Sequence, residues 1–372
     1  MRKIPLFTPR IPDGIEASIG KTLASGYIAQ GALVEQFERQ FGSFVRNEKV
    51  CAVSDISGAI ALALYDAGVQ PGDHVVLSPL VCLATSSPVA NLFARPVWSD
   101  VNPVTGMPDF ATISAALTPK TKAIIFSHWS GDVGEIEEIY SLAKRRGVAL
   151  IEDASEAFGA TLAEQPLNAR FADYTAYSFG PVRQITCGEG AALVANAQDK
   201  FERLRRIRRY GIDPTSFRLE SGDLNPSSDI PRAGFNFPFN NIGATLGIRQ
   251  LSDTPDILDK YRSNGAYYEE VLQGIPGVSN LIRRRNSQSG YWTFSFRARN
   301  RDRLVQKLVA SGISCQRLHV RNDRYSCFSE GIAADDLPGV TAFDHENISI
   351  PCGWWLNEDD RQRIADTIRE GW

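Results

Sequence analysis

From Val50 to Val194, short apolar runs alternate with stretches whose apolar residues recur at helical spacing. Val50–Val53 reads as a strand and Ala59–Leu64 as part of a helix. The turn Pro71-Gly72-Asp73 leads into a second strand, His74–Ser78. Pro96–Ser99, Ala123–Ser127 and Ala149–Ile151 repeat the theme, with the helix Ile136–Arg146 between the last two. These strands are almost continuously apolar, as expected when both faces of a parallel sheet are covered. Strands alternating with helices indicate a doubly wound α/β fold, in which ligands sit beyond the carboxyl ends of the strands.

The pattern changes beyond Ala244. A long helical stretch runs through Gln250 and Tyr261 into a smaller unit of roughly residues 266–372. There the apolar segment Trp292–Phe296, the helix Arg301–Val309 and the closing run Ile348–Pro351 suggest an α+β cap. The expected organisation is a large α/β domain over 1–250 with an N-terminal arm, then a linker helix and small α+β domain over 251–372. Phe217–Arg232, rich in Ser, Asp, Pro and Gly, reads as a loop.

Composition adds exclusions. With 43% hydrophobic residues in 372, the chain has ample material for a core. A formal charge of −3 implies no general attraction to nucleic acid. No run approaches the roughly 18 apolar residues of a membrane span, so no membrane partner is expected. Met1–Pro5 lacks the apolar run of a signal peptide, and the six cysteines form no CxxC pair. The expectation is a reduced, cytoplasmic chain without a metal site, since the four histidines also lack ligand spacing.

Several motifs, in order, carry a resemblance along nearly the whole chain. They are Ser25–Gly31, Pro71-Gly72-Asp73, Ser78–Thr85, Thr121–Ile124, Glu152-Asp153-Ala154, Ser178-Phe179, Gly188-Glu189-Gly190, Gly234-Phe235-Asn236 and Ser349-Ile350-Pro351. Together they resemble the DegT/DnrJ/EryC1/StrS family, the sugar aminotransferase branch of the fold-type I enzymes that use pyridoxal phosphate (PLP). The resemblance implies a mainly parallel large domain, a sugar or secondary-metabolite substrate, and a homodimer with a shared active site. It makes Asp153 the partner of the pyridine nitrogen, an acid that keeps the ring protonated as an electron sink. A helix cap or a structural ion pair is the competing reading of Asp153. Glu156 falls where similar proteins place a polar residue near the cofactor, and a capping role competes. Ser178 matches a phosphate-contacting serine, and Asn236 an asparagine lent across a dimer interface. His128, after the strand Ala123–Ser127, joins them as a candidate acid or base, although a lone histidine is more often structural.

Two departures change the functional expectation. The family lysine should follow Ser178-Phe179 in a stretch resembling S-F-x-x-x-K, but the chain has Arg183 there. Nine of the 40 basic residues are lysine and 31 are arginine, and no lysine lies in 178–190. An amine can lose its proton, form a Schiff base and shuttle protons, whereas a guanidinium does none of these readily. At the phosphate loop, where relatives carry S-G-T, the chain has Asp55-Ile56-Ser57. A carboxylate there opposes a phosphate dianion, leaving Ser57 and Gly58 as the remaining cradle.

No covalent PLP aldimine is therefore expected, with non-covalent PLP, non-covalent pyridoxamine phosphate (PMP) or no cofactor all open. Arg183 would bind a carboxylate, phosphate or carbonyl oxygen, and Glu156, Asp153 or His128 would do acid–base work. The expected partner is a small polar metabolite such as a nucleotide-linked or amino sugar. Competing readings are a PLP- or PMP-dependent sugar aminotransferase or dehydratase, a lysine-to-arginine inactive form, and a non-catalytic partner or ligand-sensing subunit. An engineered arginine is a further alternative, and the accompanying changes at Asp55, Ile56 and Gln184 favour natural divergence.

Overall fold

The computed structural model describes residues 2–333 and 337–372. In chain order its strands are β1 (Val50–Val53), β2 (His74–Leu77), β3 (Arg95–Trp98), β4 (Thr121–Ser127) and β5 (Ala149–Asp153). The short β6 (Thr161–Leu162) and β7 (Gln165–Pro166) follow, then β8 (Tyr174–Ser178) and β9 (Ala191–Ala195). The remainder are β10 (Val278–Asn280), β11 (Ser287–Gln288), β12 (Phe294–Ala298), β13 (Ile332–Ala333) and β14 (Asn347–Ile350). The main sheet has the order β1-β9-β8-β5-β4-β2-β3-β13. All its pairings are parallel except those of β9 with β8 and β1.

Alternation within each strand explains why the strands read as unbroken apolar runs. In β4, Ile124 and Phe126 enter the core on one face, while Ala123 and Ile125 enter the core on the other. In β1, Val50 and Ala52 oppose Cys51 and Val53 in the same way. Both faces are covered, so neither set needs to be polar. The helix Ala32–Val45 closes the first face with Phe37 and Phe41, whose rings meet Phe179 edge-on at 5.3 and 5.1 Å. Phe179 follows directly on β8, so this aromatic contact fixes the start of the turn that carries Arg183.

A 31-residue helix, Asn241–Val271, crosses the junction expected near residue 250 and ties the two units together. Its first turn is capped by Asn240, whose side chain accepts the Gly243 N–H at 2.8 Å. The smaller unit is built on the antiparallel sheet β10-β12-β14, with Phe294, Phe296, Leu304 and Ile348 in its core. The chain does not stay there. β13 adds to the edge of the main sheet beside β3, and Phe328 packs edge-on against Trp98 at 5.5 Å. This excursion brings residues 319–322 over the carboxyl ends of β2 and β4, a placement the linear pattern does not reveal. Among the described residues, no helix is long and apolar enough to cross a membrane.

Phe41 is fully buried among these rings. Phe41→Ala is expected to cost about 3–5 kcal/mol, because the aromatic cage cannot collapse into the void. Urea unfolding monitored by circular dichroism measures this, and a loss under about 1 kcal/mol would contradict the packing described.

Candidate active site

Three acids lie within five residues at the carboxyl end of β5, and all are buried: Glu152, Asp153 and Glu156. Each is satisfied by a different part of the chain. Asp153 accepts the Thr85 hydroxyl at 2.7 Å on one oxygen and the Ser155 N–H at 3.1 Å on the other. Glu156 accepts the Ser130 N–H at 2.8 Å and meets His319 Nε2 at 2.5 Å. Burial works against ionising Glu156. The charge and hydrogen bond of His319, the Arg183 charge and the Ser130 N–H together outweigh it and hold the carboxyl below its ordinary range.

Glu152 pairs with His128 Nε2 at 2.9 Å and also takes the Thr175 hydroxyl. The other ring nitrogen of His128 accepts the Gly134 N–H at 3.2 Å, so Nε2 carries the proton that Glu152 receives. His128 thus reaches the cleft wall with both nitrogens engaged. This corrects its reading as a free acid or base, because its nitrogens are committed to holding the strand ends together. His319 sits where that reading placed His128, with one nitrogen on Glu156 and its ring edge-on to Trp129 at 5.6 Å. Its pairing with Glu156, across 163 residues, depends on the return of the chain to the main sheet.

Arg183 occupies the turn after β8. Its guanidinium lies over the Trp292 ring at 4.3 Å, and Phe7 stacks on the same indole at 4.9 Å. Trp292 Nε1 donates to the Val182 carbonyl at 2.7 Å, so one side chain both pins the turn and supports the cation. Gln184 is fully buried and donates to the Phe158 and Gly290 carbonyls at 3.3 and 3.4 Å. The segment carrying Trp292 is held close by Gly131, whose φ of +111° suits glycine and whose added Cβ would lie 2.3 Å from the Tyr291 nitrogen. Arg183 Nη1 is buried and has no hydrogen-bond partner among the described residues. Arg183, Asp153, Glu156, His319, Cys82 and Thr85 line one narrow cleft with an internal volume of only about 10 Å³.

The fit of a pyridoxal cofactor can be tested on these residues. Asp153 suits a pyridinium nitrogen, since each carboxylate oxygen retains a lone pair. The phosphate end does not fit. Asp55 is the N-cap of the helix Ile56–Asp66, accepting the Gly58 N–H at 2.8 Å and the Ser54 hydroxyl at 2.8 Å. The charge expected to repel a phosphate therefore occupies the donor that a phosphate would use. Ser57 donates to the Ala84 carbonyl at 3.1 Å, so the cradle expected from Ser57 and Gly58 is already engaged within the chain. Ser178 is buried and accepts the Gly180 N–H at 3.3 Å. Asn236 is exposed and makes no side-chain hydrogen bond among the described residues. With Arg183 in the turn after Ser178-Phe179 and the Asp55 carboxylate on the Gly58 N–H, the residues present do not fit a covalently held, phosphate-anchored PLP.

Comparison with known proteins defines the class. The sequence profile of the DegT/DnrJ/EryC1/StrS aminotransferase family matches residues 10–369, and the chain belongs to that family. It is similar to the sugar aminotransferase CalS13 from Micromonospora echinospora, with 29% identity, a TM-score of 0.93, and 99% of this chain and 100% of that one covered. The S. venezuelae protein DesV, solved in complex with a ketimine intermediate, is 26% identical with a TM-score of 0.87 and 98% of both chains covered. The spore coat polysaccharide biosynthesis protein SpsC of Bacillus subtilis (strain 168) is 24% identical over 376 residues, 99% of this chain and 96% of its own length.

Glu156 provides a pH test of the pairing. Its folded carboxyl titrates below the unfolded one, so its contribution is present above the ordinary carboxylate range and lost as pH falls through the folded value. The Tm deficit of Glu156→Gln against wild type is therefore expected to shrink between about pH 7 and about pH 3. Thermal melts across that range check it, and a deficit independent of pH would remove the ionised pair.

Proposed function

We propose that this family member acts on a carbonyl-bearing sugar, nucleotide-linked or amino-substituted, without forming an internal aldimine. The observation that carries this reading is Arg183, held at the lysine position by Trp292 and facing the cleft of Asp153 and Glu156. Gln184 is buried by its own contacts and Asp55 caps its own helix. The changes thus form a coherent set, which favours divergence over a single lesion. A planar guanidinium is suited to a carboxylate, phosphate or carbonyl oxygen, and keeps its charge at any working pH.

A second reading is amino transfer to a sugar with PMP brought in non-covalently. The intact environment of Asp153 and the sugar aminotransferase relatives favour it. Exposed Asn236, whose side chain makes no hydrogen bond among the described residues, supports a homodimer in which it completes the neighbouring site. The sedimentation mass of the full chain tests that assembly, and a monomer at working concentrations would refute it. Six free cysteines accord with a cytoplasmic setting.

The absorbance of the purified chain separates the two readings. Wild type is expected to be colourless and to take up neither PLP nor PMP from solution. Arg183→Lys alone is expected to form no borohydride-trappable aldimine with PLP, because Asp55 still occupies the cradle. Arg183→Lys combined with Asp55→Gly is expected to gain one. Uptake of PMP by wild type would favour the second reading, and an aldimine in Arg183→Lys alone would overturn the role given to Asp55.

A further inference from the structure

His319 and Arg183 bring to one narrow cleft the two groups that proton abstraction beside a carbonyl requires. Glu156 fixes the ring by accepting from Nε2, which leaves the Nδ1 lone pair as the basic position; Nδ1 has no hydrogen-bond partner among the described residues. Glu156 is itself held by the Ser130 N–H, so the ring cannot turn without breaking a buried carboxylate contact. The side chain of His319 is 12% exposed, enough to meet a group entering the cleft. Opposite charge comes from Arg183, whose unpaired Nη1 is a donor without an acceptor and whose stem is braced on Trp292. A pre-aimed, buried cationic donor stabilises an oxyanion more than a neutral carbonyl. The cleft is too narrow for much of a sugar, so the reacting carbonyl enters and the remaining ring stays at the mouth.

We infer that this chain isomerises an α-hydroxy ketone of its sugar substrate by cofactor-free enolisation, with His319 as the base and Arg183 as the oxyanion donor. This deepens the proposed sugar-acting function and rests on it. The proton on the hydroxyl-bearing carbon moves to His319 Nδ1. Its bonding pair becomes the new C=C bond, and the carbonyl π pair moves to oxygen, where Arg183 donates to it. His319 then returns a proton to the former carbonyl carbon. The hydroxyl proton passes between the two oxygens, so the carbonyl shifts by one position. Nothing is oxidised or reduced overall, and no co-reactant is needed. Asp153 takes no part in the step, because its two oxygens stay on Thr85 and Ser155.

The test uses the full chain without added PLP or PMP and a dTDP-linked 4-keto-6-deoxyhexose as probe. Proton NMR in D2O follows exchange at the carbons beside the carbonyl against an enzyme-free control, and calorimetry measures binding separately. Wild type is expected to bind the probe and to accelerate exchange above the control. His319→Asn should lower the exchange rate by about 10²–10⁴-fold, and Arg183→Met by about 10²–10³-fold. His319→Asn should retain probe binding and the circular dichroism of the folded chain. Glu156→Gln should shift the acid limb of the exchange profile, which a merely structural role would leave in place. Binding without exchange would overturn the enolisation and leave the sugar-site reading standing. Absence of binding would overturn both. Exchange unchanged in His319→Asn, or dependent on added PMP, would overturn the assignment of base and of cofactor-free chemistry.

Discussion

Three buried carboxylates at the end of one strand are the constraint around which the site is built. An ionised carboxylate removed from water is costly unless it is paired, and here Glu152, Asp153 and Glu156 share one short segment. Their partners come from four separate places: Thr85, the His128–Ser130 turn, Thr175 and His319. Satisfying them therefore requires β4, β5 and β8, the Leu83–Asn91 helix and the returning C-terminal chain to meet at one point. The packing of the carboxyl edge follows from that requirement as much as from the hydrophobic core beneath it.

On the proposed reading, a guanidinium in place of an amine against this acidic floor changes what the pocket can do. A lysine amine offers a nucleophile and a proton carrier, while Arg183 offers neither but holds fixed donors and permanent charge. Stacking on Trp292 restricts it further, since an indole-backed guanidinium has little freedom to move with a reacting carbon. On the proposed reading the chemistry passes to the Glu156–His319 pair, which lies in the same cleft. Asp55 acts in the same direction at the other end, turning an anion cradle into an ordinary capped helix.

Much of this was legible in the order of residues. The parallel sheet showed itself because strands covered on both faces must be apolar on both, as Ile124–Phe126 and Ala123–Ile125 are. Helix Ile136–Arg146 was bounded correctly, since its apolar stripe and the glycine after it are local signals. Family motifs then gave the class, and Arg183 stood out because the resemblance implies a lysine a few residues after Ser178-Phe179. The environment of His128 was not legible. Whether a histidine nitrogen is free depends on partners such as Glu152 and the Gly134 N–H, and pattern alone does not orient a ring. The Phe7–Trp292–Arg183 stack joins three distant segments, and no periodicity links them.

The sequence by itself determined the α/β class and the family, and it set the expectation that Arg183 stands where the family carries its lysine, because each rests on side-chain type and local spacing. Only the tertiary structure decided which acid has which partner, that Asp55 closes its own helix, and that both nitrogens of His128 are engaged while His319 pairs with Glu156. The physical reason is the same in each case. Hydrogen-bond partners of buried polar groups are set by which chain segments are brought within about 3 Å, and that is a property of the packed fold.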